Sequence, residues 1–155
     1  MDFKFAAAAI GIALVVIYAV GSGLWVNTSS GWYASLNRPS IQPPDLIFGI
    51  IWPYNFIVIG LCAVQIANNQ NKAIVITWLA LFATTVALAL NWAYLFYVPH
   101  NLQIASISLA LVAILTLPLT FLVFKTSLFY GALFTPYQLW VITAAILSNS
   151  YSKLN

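Results

Sequence analysis

Charge is what this chain lacks. Of its 155 residues, two are acidic, Asp2 and Asp45, and five are basic. Charged residues make up 5% of the chain and hydrophobic ones 63%, where soluble domains carry about 25% charged residues. The composition is that of an integral membrane protein. A spanning helix needs roughly 20 apolar residues, so the chain has room for about five and little else. A net charge of +3 spread this thinly makes no basic patch for nucleic acid. With both acids at the ends of apolar runs, no carboxylate pair is available for acid–base hydrolysis. Ion-coupled transport normally uses ionisable groups inside the membrane, and none is visible. Cys62 is alone, which excludes an internal disulfide and leaves the redox compartment unread. A single histidine, His100, provides no metal-ligand set. As a lone haem ligand it is outweighed by the ordinary reading of a solvated interfacial residue.

What is there reads as five helices, expected over residues 5–26, 45–67, 73–98, 102–124 and 128–150. The whole chain is expected to be one all-α membrane domain. For the first run a signal peptide is the rival reading, because Lys4 precedes it and Ala19-Val-Gly21 resembles a cleavage site. The run is longer than the 7–15 residues of a signal core. Residues 27–44 form a loop that carries Trp32, Tyr33, Leu36, Arg38, Pro39, Pro43 and Pro44. Prolines fix φ and remove donors, and large aromatics are wasted on a free loop. The loop is therefore expected to fold as a lid over one end of the bundle. Pro-Pro-Asp45 opens the next helix, with the acid complementing the positive end of the helix dipole.

The polar side chains inside the helices are few. Tyr18, Ser22 and Trp25 share a face, as do Trp52, Asn55 and Phe56. Thr84, Leu88, Asn91, Leu95 and Val98 make a stripe on the third run, flanked by Trp92 and Tyr94. Pro136, Trp140, Thr143, Ala144 and Leu147 make another on the fifth, with Tyr137 beside it. Pro118 frees a carbonyl that Thr116 or Thr120 is expected to help satisfy. Ala80, Ala83, Thr84 and Ala87 have the small-residue spacing that allows close helix contact, within the bundle or across a homodimer. Lys4, Lys72 and Lys125 fall on one side of the membrane, and Arg38 and Lys153 on the other. By one charge this puts the N-terminus in the cytoplasm.

Such stripes, facing one another, would line an uncharged cavity with rings and amides. That suits a flat, mostly apolar ligand held by stacking and a few hydrogen bonds. The stripes supply Tyr18, Trp25, Trp52, Asn55, Asn91, Trp92, Tyr94, Tyr137 and Trp140 to such a cavity. Leu147, Tyr151 and Lys153 fit a proposed cholesterol-contact pattern, a weak one.

The pattern Trp32-Tyr33-x-x-Leu36-x-Arg38-Pro39-Ser40-x-x-Pro43-Pro44, followed by Phe48-Gly49-x-x-Trp52, resembles the translocator protein / tryptophan-rich sensory protein family. So do Leu90-Asn91-Trp92 and Pro136-Tyr137-x-x-Trp140. The resemblance covers essentially the whole chain. It implies a five-transmembrane-helix bundle, often dimeric, with a folded first loop capping a ligand cavity, and by its motifs it implies Tyr33, Pro43, Trp52, Asn91, Trp140 and Ala144 as ligand residues. It also implies a membrane receptor or carrier for porphyrins or sterols, with porphyrin or haem as ligand and no required cofactor. Breakdown of porphyrin by tryptophan photo-oxidation is the alternative, with Trp52 and Trp140 as its reactive groups; a structural subunit of a membrane complex is another. The chain departs from the family at Ile41, where Trp is usual, and at Asn55-Phe56, where Leu-Tyr often stands. The fourth helix also lacks the family's common acid.

Overall fold

The computed structural model describes residues 2–26, 28 and 30–155; the lid's expected first residue, Asn27, lies outside them. The described residues fold into six helices with no strand among them. These are α1 (Phe3–Val26), α2 (Ser30–Ser35), α3 (Asp45–Asn69), α4 (Lys72–Tyr97), α5 (Leu102–Thr126) and α6 (Leu128–Leu154). All but α2 are long and apolar enough to cross a membrane, and the protein is a multi-pass membrane protein. The expected helices are all present, with ends that differ by a few residues. The lid differs more, because its first half is itself a short helix, α2.

Sharp polar turns set the boundaries. Asn71 caps α4 by accepting from the Ile74 N–H at 3.1 Å, and Asn101 caps α5 in the same way from Ile104. Each side chain satisfies one amide that the helix start would leave unpaired. At the end of α4, His100 takes a left-handed φ of 57°. That turn lets the Asn101 N–H reach the Leu95 carbonyl at 2.8 Å.

The five long helices form a closed ring: α1 packs on α3 and α4, α5 joins α4 to α6, and α6 closes on α3. Lipid tails are as apolar as leucine, so close packing and buried hydrogen bonds hold such a ring, more than the hydrophobic effect. Tyr54 on α3 donates to the Leu133 carbonyl of α6 at 2.8 Å. Ser108 on α5 donates to the Leu88 carbonyl of α4 at 2.9 Å. Gln138 on α6 donates to the Ala113 carbonyl at 3.1 Å and accepts from Thr120 at the same distance. This last pair brackets Pro118. Thr116 donates to the Ala113 carbonyl, and Thr120 shares its one hydroxyl proton between the Thr116 carbonyl and Gln138, so neither threonine reaches the Ile114 carbonyl that Pro118 frees.

The lid lies across the end of the bundle where α4 and α6 finish. Trp32 stacks flat on His100, with ring centres 3.7 Å apart, and meets Phe96 edge-on. Tyr33 packs among Phe96, Tyr97 and Tyr151. Its hydroxyl accepts from that of Tyr151 at 3.1 Å, and the Tyr151 hydroxyl also pairs with Gln42. Asn37 and Asn155 close the far edge through the Asn37 N–H at 2.8 Å. Tyr151→Phe removes both hydroxyl links and keeps the ring. Faster hydrogen exchange across residues 30–44, with little change in melting temperature, is the expected result.

Arg38 and Asp45 form an ion pair at 3.8 Å, with both side chains more than half exposed. Exposed pairs of this kind contribute about 0–1 kcal/mol. Arg38→Ala should therefore leave the melting temperature nearly unchanged, and a large drop would show that Arg38 holds more than Asp45.

Candidate functional site

The centre of the bundle is aromatic. Tyr18 on α1 meets Trp52 and Phe56 of α3 edge-on, at 5.9 and 5.4 Å between centres. Trp52 lies over Phe56 at 5.5 Å in a near-parallel stack. One turn nearer the lid, Phe48 sits edge-on against Trp140 of α6 at 5.1 Å. Tyr137 is fully buried one turn before Trp140 and packs on Phe134. The Tyr18 hydroxyl approaches that of Tyr137, yet the Tyr137 oxygen gains no hydrogen bond of ordinary geometry. No charged residue lies in this layer.

The structure does not bring all the sequence-derived ligand residues together. Trp52, Asn55, Tyr137 and Trp140 belong to the centre, all buried except the half-buried Trp52. Tyr33 and Pro43 belong to the lid, and both are half-buried. Ala144 is half-buried on α6, packed against the core toward the lid end. Asn91 and Tyr94 do not join either set. Asn91 is exposed on the side of α4, where its amide donates to Ser108 at 3.1 Å. Tyr94 is 44% exposed and meets Trp25 edge-on.

The expected stripe on α4 is thus an outer and flanking face. Thr84, Asn91 and Val98 are exposed, while Trp78, Phe82, Thr85, Val86, Ala89, Ala93 and Phe96 are buried. The physical reason is that α4 is apolar all round, so lipid-facing and core-facing residues look alike.

The cholesterol-contact pattern at the C-terminus also divides. Leu147 and Tyr151 are buried, and Tyr151 is engaged with the lid. Lys153 is exposed beside a polar hollow of about 780 Å³ that His100, Asn101, Gln103, Ser106, Asn149 and Ser152 also line. A smaller hollow of about 350 Å³ lies at the lid's other edge, between Arg38 and Asp45. His100 uses its ring face on Trp32.

Sequence reasoning missed Tyr54 and Gln138. Both tie helices together through carbonyls close to a proline, Tyr54 near Pro136 and Gln138 near Pro118. The available signal was the proline itself, whose missing N–H loosens the carbonyls around it and gives a neighbouring helix something to bond.

A five-helix membrane bundle with an uncharged, tryptophan-bearing centre and a folded cap is the class that this architecture defines. The chain belongs to the TspO/MBR family, which it matches over residues 7–153. It is 30% identical over 148 residues to the tryptophan-rich protein TspO of Chlorobaculum tepidum, covering 94% of this chain and 92% of that one. It is 32% identical over 124 residues to the protein of the same name in Bacillus cereus, with 80% of each chain covered. The human translocator protein is 29% identical over 135 residues, covering 83% of this chain and 78% of the relative.

Proposed function

We propose that the protein is a membrane receptor or carrier for a flat, mostly apolar small molecule of the porphyrin or sterol type, taken into the ring-bearing centre beneath the lid. One observation carries this reading: Trp52, Tyr137 and Trp140 share a charge-free layer with buried polar atoms that the protein leaves unpaired. Rings supply affinity by stacking, and the polar atoms supply orientation. The human relative's name, translocator protein, fits a carrier role. In this structure the central rings pack on one another, so entry requires the lid or the α3–α6 side to part.

The outer face of α4 presents Ala80, Thr84 and Ala87, and the Thr84 hydroxyl is spent on the Ala80 carbonyl. Such a face allows close contact with a second copy, and we place a homodimer there.

The test is titration of the purified protein in detergent with protoporphyrin and, separately, with a sterol, read by tryptophan emission. Saturable quenching or shift at micromolar concentration by one of them is expected. No saturable change with either would overturn the reading.

A further inference from the structure

Among the described residues, every basic side chain but one has a partner. Lys4 donates to the Asn68 carbonyl at 2.8 Å, Lys72 and Lys125 lie over the rings of Phe3 and Phe121, and Arg38 pairs with Asp45. Lys153 has no ion pair, no hydrogen bond and no ring beneath it. It lines the polar hollow of about 780 Å³ between the start of α5 and the end of α6.

Its neighbours in that hollow are unspent as well. The Gln103 and Asn149 side chains make no hydrogen bond within the protein. Thr135, Thr143 and Ser150 of α6 each donate to the carbonyl four residues back, as hydroxyls in apolar helices commonly do. Ser152, on the hollow, does not.

The wall of the hollow contains no acid, so an anion is the group that Lys153 lacks. Around that charge, amides and a hydroxyl can both donate and accept, which matches a partner that carries hydroxyls. A cationic headgroup would instead call for a carboxylate or an aromatic cage. The one ring in the wall, His100, has its face on Trp32.

The place of the hollow in the fold says what carries the anion. It lies where two spans end, at the height of lipid headgroups. Ile107 at its edge continues down α5 as an exposed stripe with Leu111 and Ile114. Asn149 is continued down α6 by exposed Ile146 and Ile142. Two apolar rails for acyl chains thus run from a polar seat. We propose that the hollow holds the headgroup of a phospholipid that is net negative and hydroxyl-bearing, of the phosphatidylglycerol kind. Its phosphodiester sits on Lys153 and its headgroup hydroxyls on Asn149, Gln103 and Ser152. Basic pockets between membrane helices are suited to anionic headgroups.

The site also reaches the lid. Two residues of its wall hold the lid in place: His100 stacks on Trp32, and Asn155 accepts from the Asn37 N–H. A lipid seated there keeps both in position and steadies the lid. None of this depends on the centre taking a ligand.

The purified protein, in a neutral detergent, is titrated separately with dioctanoyl phosphatidylglycerol, dioctanoyl phosphatidylcholine and glycerol phosphate. Hydrogen exchange is followed over residues 99–107, 149–155 and 30–44. Phosphatidylglycerol is expected to slow exchange in all three segments at about tenfold lower concentration than phosphatidylcholine, the worth of a hydrogen bond to a charged group. Glycerol phosphate should have little effect at those concentrations. The preference should vanish in Lys153→Gln and persist in Lys125→Gln, which removes a charge at the opposite end of the bundle. Equal effects of the two lipids on wild type, or a preference that survives Lys153→Gln, would overturn the site. So would a preference lost equally in Lys125→Gln, which is surface attraction alone. Glycerol phosphate acting as strongly as the lipid would overturn the lipid as its occupant, and protection that spares residues 30–44 would overturn the link to the lid.

Discussion

Trp140→Ala is expected to lower stability by about 3–5 kcal/mol, the usual cost of truncating a buried tryptophan. Its ring is 8% exposed, and Phe48 rests edge-on against it. Removing it opens a void between α3 and α6 beneath the lid. Thermal unfolding in detergent measures this directly. Trp52→Ala should cost clearly less, because that ring is half-buried and leans on Phe56 and Tyr18 along one side.

Ligand affinity should order the two positions differently. Both alanine variants are expected to lose binding, and Trp52→Phe should lose less than Trp52→Ala, since a smaller ring still stacks. Equal loss in Trp52→Phe and Trp52→Ala would mean that the ligand does not use the ring as a stacking surface. Stability and affinity together separate a tryptophan that holds the bundle from one that holds a ligand.

The second large effect is expected at Gly11. A Cβ placed there would stand 2.6 Å from the Cβ of Ala63, where α1 crosses α3. A methyl group attached directly to a helix backbone cannot swing aside, so the helices themselves must separate. Overpacking of this kind costs about 1–3 kcal/mol, and Gly11→Val should lie at the upper end. Gly49 is the control. A Cβ there meets nothing within 4 Å, and alanine is the better helix former by about 0.5–1 kcal/mol. Gly49→Ala should therefore be neutral or stabilising. A melting-temperature drop in Gly49→Ala as large as that in Gly11→Val would contradict the packing account.

How far the sequence alone could be read follows from where polar residues sit. Helix ends were legible because Asn71, Asn101 and Ser127 cap them and Pro44-Asp45 opens α3. The lid was legible because Trp32, Tyr33 and a set of prolines cannot rest comfortably in water or in lipid. Its internal helix was not, since Ser30–Ser35 is too short to show a period. On α3 the inward face was read correctly, as Trp52, Asn55 and Phe56 mark it with size and polarity. On α4 it was not. Asn91 looked like an inward amide, but it satisfies itself on Ser108 of the neighbouring helix while facing outward. An amide in a membrane helix needs a partner, and sequence does not say on which side the partner stands. Tyr151 posed a similar problem: with Leu147 and Lys153 it fits a cholesterol-contact pattern, yet its hydroxyl is taken by Tyr33 and Gln42.

The account stands on the centre between α3 and α6 receiving the ligand. Photo-cross-linking with a diazirine-bearing flat aromatic, followed by peptide mapping, tests that placement most directly. Label on the peptides that contain Trp52 and Trp140, competed away by unlabelled ligand, is the predicted result. Competable label confined to the rim near His100 and Lys153, or to the outer face of α4, would contradict it.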